Sequence, residues 1–320
     1  MRNPRQLPEP LASAPFLLSE AQLRGIPRGR LRGRDLLVPS RGIRDHSVPD
    51  GPEPDLAALA GPLSRVSAFS AASHATAFRL WGFPGFLPGA DDGGIHLSRP
   101  DGMAIPRRRG VTGHRGQFFP DEITELHGVL ITTRVRTWLD VARLMPVDEL
   151  TAAADFLLRM PRPEFEGRSA PFASKADLDR MLERHWGTPG IRKARLALDL
   201  ARVGADSAPE TKLRLAVGRA GLPEPAVNLK TELLPGVTRQ PDLSFPEYRV
   251  AVEYEGSGHS EAPQVDRDIG REEDYGRASW IQVRISHRHM ADDARAAVRK
   301  IAAALGSRGW RRTGSQVTQL

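Results

Sequence analysis

A short segment in the last third of the sequence, Val250-Ala251-Val252-Glu253-Tyr254-Glu255, alternates acidic residues with hydrophobic ones. In a β-strand, successive side chains point to opposite faces, so Glu253 and Glu255 would share one face. Two carboxylates this close repel each other unless a positive charge lies between them, and a divalent cation is the obvious candidate. The pattern therefore predicts a strand that supplies two oxygen ligands to a metal ion.

A third acidic residue, Asp242, lies in a preceding short strand predicted over residues 239–245. A hairpin between the two strands would bring its carboxylate to the same point as Glu253. The sequence contains no cysteine, so a metal site must use Asp, Glu and His, which suits Mg²⁺ or Mn²⁺. His259 follows the second strand, where it could deprotonate a water molecule or contact a phosphate. Such a cluster has the ligands that metal-dependent phosphodiester hydrolysis requires.

The elements around these residues predict an α/β core. Ser207-Ala208-Pro209-Glu210 has the pattern of a helix start, with Ser207 as N-cap and Glu210 at the third position of a capping box. Hydrophobic spacing predicts further helices over residues 264–277 and 294–305, and a strand over 280–285. The order is helix, strand, strand, helix, strand, helix.

These motifs together resemble an uncharacterised bacterial family related to very-short-patch repair endonucleases, of the PD-(D/E)xK type. The resemblance covers about one third of the chain, residues 205–306. The matching positions are Glu210, Asp242, the run from Glu253 to His259, Arg267-Asp268-Ile269-Gly270-Arg271 and Ser279-Trp280-Ile281-Gln282-Val283-Arg284. The resemblance implies a restriction-endonuclease-like α/β core and a DNA endonuclease that uses Mg or Mn. Asp242, Glu253 and Glu255 would be its metal ligands, and Glu210 and His259 would join them as catalytic residues.

The sequence departs from the family pattern at two positions. Glu255 stands where the family has Asp, and Ser279 stands where it has Gly before the tryptophan. No lysine occupies the third position of the (D/E)xK motif, so its role would pass to His259 or to another group.

Each candidate also has a purely structural explanation. Asp242, Glu253 and Glu255 could be strand-end charges that face solvent, and His259 could be a turn residue. A capping role alone explains Glu210. Arg271 could contact a phosphate of the nucleic acid or form an ion pair on the helix surface.

The first segment, residues 1–50, predicts a small winged helix-turn-helix. A helix follows Ser19, a second begins at Pro27 and continues to Arg32, and a short hairpin comes next. Seven arginines and one acidic residue fall between Arg24 and Arg44. The second helix would place Arg28, Arg30 and Arg32 against DNA; the alternative is a basic hairpin that packs on the rest of the protein.

Residues 46–60 are rich in Pro, Asp and Gly and indicate a linker, and residues 62–200 predict a mixed α+β middle domain. Its histidines, with His127 among them, lack the close spacing of a metal site, so we interpret them as hydrogen-bonded or surface residues. The first half resembles the AbiEi-type antitoxins at residues 17–41, 73–82 and 131–140. That resemblance implies a winged helix that binds DNA.

Composition limits the functional classes. The net charge of +7 is compatible with binding a polyanion, and 40% hydrophobic residues suffice for folded cores in two or three domains. There is no apolar run of about 18 residues and no signal-peptide pattern, so we expect a cytoplasmic protein without a membrane partner. We expect residues 307–320 to form a disordered tail.

The sequence thus leaves two main hypotheses. The first is an Mg- or Mn-dependent endodeoxyribonuclease that acts on duplex DNA, in DNA repair or phage defence. The alternative is a non-enzymatic DNA-binding regulator or antitoxin with a degenerate nuclease domain. An RNA-acting toxin is a third idea, but aromatic residues, at 6%, are too few to predict a stacking platform for single strands.

Overall fold

A computed structural model describes residues 6–46, 55–90, 92–256 and 262–312. Packing divides the chain into two compact units. Met1–Met145 and Asp177–Lys193 form the N-terminal unit, and Pro146–Ala176 and Ala194–Leu320 form the C-terminal unit. Residues 146–176, which the sequence analysis placed in the middle domain, therefore pack with the segment that carries the predicted site.

The N-terminal unit contains a five-stranded mixed sheet of order β5-β4-β3-β7-β6. Its elements are α1 (Glu9–Ala12), β1 (Phe16–Leu17), α2 (Leu18–Leu23), β2 (Ile43–Arg44), α3 (Leu56–Val66), β3 (Ala71–Ala72), α4 (His74–Leu80), β4 (Ile95–Pro100), β5 (Val111–Gly116), β6 (Ile123–Leu126), β7 (Val129–Thr132) and α5 (Arg134–Val141). Leu97, Val129 and Ile131 are fully buried in a core shared with Leu63 of α3. Burial of these apolar side chains stabilises the sheet.

The first 46 residues differ from the predicted winged helix-turn-helix. Where the second helix was predicted, the described residues contain only one 3-10 turn, Arg30–Arg32. Strand β2 pairs with β1, and the predicted hairpin is reduced to a single antiparallel bridge between Leu37 and Asp45. Arg30 donates to both carboxylate oxygens of Asp35, at 3.0 and 2.6 Å, and this ion pair folds its side chain back onto its own segment. Arg30 is therefore paired with Asp35, whereas Arg28 and Arg32 are exposed, and contact of these arginines with DNA stays a prediction.

Three of the histidines that are distant in sequence meet in the N-terminal unit. His96 Nδ1 lies 2.9 Å from His114 Nε2, and the His74 ring stacks on the His114 ring at a centroid distance of 3.7 Å. His96 Nε2 lies 3.2 Å from a carboxylate oxygen of Asp92. The parallel pairing of β4 and β5 places His96 and His114 on neighbouring strands, which their sequence separation did not indicate. These three histidines are hydrogen-bonded, as the sequence indicated. They also form a cluster, which their spacing in the sequence did not predict.

Burial and mutual repulsion keep two of these imidazoles neutral. The pKa of His74 falls to about 3, chiefly because the ring is desolvated and then because His96 and Arg136 oppose its charge. The pKa of His114 also falls to about 3, for desolvation first and then for the charges of His74 and His96. Both values lie below the usual 6.5, so the folded state binds fewer protons than the unfolded state between pH 3 and 6.5.

The C-terminal unit is built on a four-stranded sheet of order β13-β12-β11-β8. Its elements are α6 (Val147–Leu158), α7 (Pro163–Glu166), α10 (Ala208–Arg219), β8 (Ala226–Val227), β9 (Thr231–Leu234), β10 (Val237–Arg239), β11 (Leu243–Phe245), β12 (Val250–Glu255), α11 (Ala262–Arg277), β13 (Ile281–Ser286) and α12 (Ala291–Ser307). Helices α8 (Lys175–Arg184) and α9 (Ile191–Leu200) each contain a boundary between the two units. β12 runs parallel to β13 and antiparallel to β11. The mixed α/β class expected from the sequence is confirmed.

The predicted element order of the C-terminal unit recurs with additions. The sequence analysis missed β8 and the β9–β10 hairpin, and the strand predicted over 239–245 is divided between β10 and β11. Trp310 packs on the core beyond α12, inside the region predicted to be a tail; residues 313–320 of that tail lie outside the described residues. None of the described helices has the length and apolar character needed to cross a bilayer.

A buried ion pair attaches α6 to α10. Asp155 accepts hydrogen bonds from Arg214 at 2.9 Å, from Thr211 at 2.8 Å and from the backbone N–H of Arg202 at 2.7 Å. Asp155 and Arg214 are both buried, so loss of either partner would leave an uncompensated charge in the interior. This contact explains why residues 146–176 belong to the C-terminal unit.

We predict that the N-terminal unit loses stability in mild acid because of the neutral histidines. Its free energy of unfolding should be constant above about pH 6.5 and fall as the pH drops towards 3, by at most about 1.4 kcal/mol per pH unit for His74, with a smaller, solvent-screened share for His114. His74→Asn removes one proton-binding group and suits the left-handed backbone, φ +47°, at that position. Urea unfolding followed by circular dichroism should show a shallower acid limb for this variant.

His127→Asn is the matched control, because His127 is exposed and has a similar φ of +48°. That variant should keep the wild-type acid limb. An equal flattening in both variants would contradict the assignment of the acid sensitivity to the histidine cluster.

Candidate active site

Strand pairing brings Asp242 to Glu253. The antiparallel register aligns Leu243 with Val252, so Asp242, one residue earlier, faces Glu253 at the end of the pair. The Asp242 carboxylate accepts a hydrogen bond from the backbone N–H of Tyr254 at 2.6 Å. The predicted hairpin geometry is therefore present, and Asp242, Glu253 and Glu255 all line one open cavity of about 1260 Å³.

The electrostatics of Asp242 are unusual for an aspartate. Its pKa rises to about 7, first because burial desolvates the carboxylate and then because Glu210, Glu253 and Asp206 repel its charge. The hydrogen bond from Tyr254 offsets only part of this rise. The carboxylates at this strand end thus carry more negative charge than their surroundings neutralise.

Glu210 joins the cluster from the first turn of α10. Ser207 caps this helix as predicted, and its hydroxyl donates to Glu210 Oε1 at 2.7 Å. Glu210 Oε2 accepts from the backbone N–H of Asp206 at 2.9 Å and from Asn228 Nδ2 at 3.1 Å. Burial raises its pKa. The capping role and a position beside Asp242 are therefore both realised by one side chain.

Glu253 is held by three donors. Gln282 Nε2 donates to its Oε2 at 2.8 Å, the Tyr275 hydroxyl donates to its Oε1 at 3.4 Å, and Arg271 Nη1 approaches Oε2 at 3.5 Å. Burial and the adjacent Glu253 raise the pKa of Tyr275, so its phenol stays protonated and can donate. Arg271, a predicted nucleic-acid contact, forms an ion pair with Glu253 in this conformation.

Glu255 lies on the same face but is engaged elsewhere. Its carboxylate forms an ion pair with Arg284 of the neighbouring strand β13. Both side chains are more than two-fifths exposed, so the pair is accessible to solvent and weak. His259 lies outside the described residues, and its predicted role stays a prediction.

Among the described residues, no group of three or more His, Asp and Glu side chains is arranged to hold a metal ion. The donor set nevertheless suits a hard divalent cation, because Asp242 and Glu253 are neighbouring carboxylates across the strand pair. Asp242 and Glu253 are the two ligands that fit. Glu255 can join them only after it leaves Arg284.

The sequence analysis missed Gln282, Asp206 and Asn228 as residues of this site. A signal for Gln282 is present in the sequence: Ile281, Val283 and Ile285 alternate with polar residues in the predicted strand, so Gln282 points to the opposite face. The parallel register with β12 makes that face the one that carries Glu253. Asp206 and Asn228 lie in loops, where no periodic pattern marks which side chains reach the site.

Comparison with known proteins adds relatives but no function. No family model matches the chain. Two uncharacterized proteins of Mycobacterium tuberculosis, MT2308 of strain CDC 1551 and Rv2248 of strain H37Rv, are each 26% identical over 259 residues, which is 78% of this chain and 86% of the relative. The crystal structure of the RV2827C protein from Mycobacterium tuberculosis matches 56% of this chain and 64% of its own, less than two thirds, with a TM-score of 0.36 and 18% identity.

We predict that Asp242→Asn stabilises the metal-free protein at alkaline pH. The raised pKa means that Asp242 contributes stability that is fully present below its usual value of 3.8 and is lost as the pH rises through about 7. In EDTA at pH 8, the variant should therefore unfold at a higher temperature than the wild type, and the difference should vanish at pH 4. Added Mn²⁺ should raise the unfolding temperature of the wild type more than that of the variant.

Asp199→Asn, an exposed aspartate that does not line the cavity, provides the control for a generic loss of one negative charge. It should leave the pH dependence unchanged. A difference between Asp242→Asn and the wild type that stays the same between pH 4 and 8, or a Mn²⁺ response that survives in Asp242→Asn, would contradict this account.

Proposed function

We propose that the C-terminal unit is an Mg²⁺- or Mn²⁺-dependent endonuclease that hydrolyses phosphodiester bonds of DNA. The observation that carries this proposal is the half-buried Asp242, whose pKa rises to about 7 because of desolvation first and then because of repulsion from Glu210 and Glu253. An acidic cluster of this kind, at the end of a sheet and beside an open cavity, suits a divalent cation. The motif resemblance over residues 205–306 supports the same reaction.

Asp242 and Glu253 would hold the cation in this proposal. When bound, the metal would lower the pKa of a water molecule and neutralise charge on the phosphate. Gln282 and Tyr275 orient the Glu253 carboxylate through their hydrogen bonds, which leaves its position defined before substrate arrives. The Glu210 carboxylate lies close enough to Asp242 to repel its charge, and it accepts a hydrogen bond from the side chain of Asn228. His259 remains a candidate for positioning water on the sequence motif alone.

The surroundings of the cavity favour a polyanionic substrate. Arg162, Arg239, Arg271 and Arg284 line it together with the carboxylates. Guanidinium groups pair well with phosphate, and each of these is positioned to exchange a carboxylate partner for a phosphate oxygen. Duplex DNA is the partner that the family resemblance implies.

We predict metal-dependent nicking of supercoiled plasmid by the full-length protein. Mn²⁺ or Mg²⁺ should support nicking and EDTA should abolish it. Asp242→Asn and Glu253→Gln should each lower the rate by at least about 100-fold, because each removes a charged ligand while it preserves side-chain size. Glu255→Gln should lose less, because Glu255 is paired with Arg284.

The Asp199→Asn variant again serves as the control, and it should nick at the wild-type rate. Full activity in both Asp242→Asn and Glu253→Gln would reject the proposed site. Tight DNA binding without nicking under either metal would favour the non-enzymatic regulator.

A further inference from the structure

Five cationic side chains line the cavity that contains Asp242 and Glu253. Four of them face carboxylates: Arg162 pairs with Asp206, Arg239 with Asp274, Arg271 with Glu253 and Arg284 with Glu255. The fifth is Lys230. Within the described part of the chain, its ammonium has neither an ion pair nor a hydrogen bond.

The backbone near Lys230 is fixed to the acidic cluster. Asn228, two residues earlier, donates its backbone N–H to the carbonyl oxygen of Asp242 at 2.9 Å. Its side-chain amide donates to Glu210 at 3.1 Å and to the carbonyl oxygen of Gly204 at 2.8 Å. Gln240 in turn donates to the Asn228 carbonyl oxygen at 2.9 Å. The segment that bears Lys230 is therefore attached to the site, while the long Lys230 stem is exposed and able to move.

The remaining lysines serve other purposes. Lys193 and Lys300 donate to backbone carbonyl oxygens, and Lys212 pairs with Glu149 at 2.5 Å. Lys175 is exposed and does not line the cavity. Of the five lysines in the sequence, Lys230 alone combines a place in the cavity with an uncommitted charge.

We propose that Lys230 binds the scissile phosphate and supplies the positive charge that Glu255, at the motif's third position, does not provide. This inference rests on the proposed nuclease function. The ammonium donates a hydrogen bond to a non-bridging phosphate oxygen and opposes the charge that accumulates there during attack by water. Lys230 transfers no proton and forms no covalent bond in this role.

The first test measures binding of a short fluorescein-labelled DNA duplex to the full-length protein in EDTA, by fluorescence anisotropy over a range of salt concentrations. Lys230→Ala should weaken binding and lower the slope of log affinity against log salt by about 1, because one phosphate contact is lost. Lys230→Arg should keep the wild-type slope. Lys175→Ala, the matched control, should match the wild type.

The second test measures the single-turnover cleavage rate with Mn²⁺ at saturating protein. Lys230→Ala should lower this rate by at least about 10-fold, beyond its effect on binding, and Lys230→Arg should recover part of it. A rate equal to that of Lys175→Ala would show that Lys230 serves binding alone and would overturn the catalytic part of the proposal.

The two tests separate failure of this inference from failure of the nuclease proposal. If the wild type does not cleave but Lys230→Ala loses affinity and salt slope, the nuclease proposal fails and the phosphate contact stands. If the wild type cleaves and Lys230→Ala behaves like Lys175→Ala in both tests, the nuclease proposal stands and Lys230 is excluded. A wild type that neither binds nor cleaves the duplex overturns both.

Discussion

The candidate site of the C-terminal unit depends on the pairing of β11 with β12, which holds Asp242 opposite Glu253. Val250 and Val252 are fully buried on one face of β12, and their burial fixes the register with β11. Because side chains alternate, a slip by one residue would turn Glu253 into the apolar core. The hydrophobic core thus holds two carboxylates together that would otherwise separate, and desolvation, followed by repulsion from Glu210 and Glu253, raises the pKa of Asp242.

The repulsion between Asp242 and its neighbouring carboxylates is relieved only in part by the surrounding hydrogen bonds. Burial prevents water from screening the Asp242 charge, and its hydrogen bond to Tyr254 is too weak to restore the usual pKa. If the site binds metal as proposed, a proton and a divalent cation would compete for the same carboxylate near neutral pH. A site with this property binds metal more tightly as the pH rises, because the bound ion must displace the proton.

The sequence predicted the β-strands of the C-terminal unit better than the N-terminal segment, for a physical reason. Alternation in β12 and β13 follows from burial of one sheet face, which leaves a period of two in the sequence. Residues 24–46 have no such period, and their fold depends on the Arg30–Asp35 ion pair and on pairing between β1 and β2. Glu253 and Glu255 were predictable because a strand carries them, Asp242 because it immediately precedes one, and Glu210 because a capping pattern marks it. Asp206, Asn228 and Lys230 were not, because loops carry them and only tertiary contacts bring them to the cavity.

Glu255 stands where the resembled family has Asp and where the (D/E)xK motif has Lys, and in the structure its partner is Arg284. Glutamate reaches further than aspartate, and here the longer side chain reaches Arg284 on the neighbouring strand. This exposed pair offsets part of the Glu255 charge, and the pair with Arg271 offsets part of the Glu253 charge. A lysine at position 255 would have added positive charge on the strand itself. Under the proposed nuclease function, Glu255 supplies no positive charge at this position, and Lys230, on the segment held by Asn228, would add its charge to that of the cavity arginines.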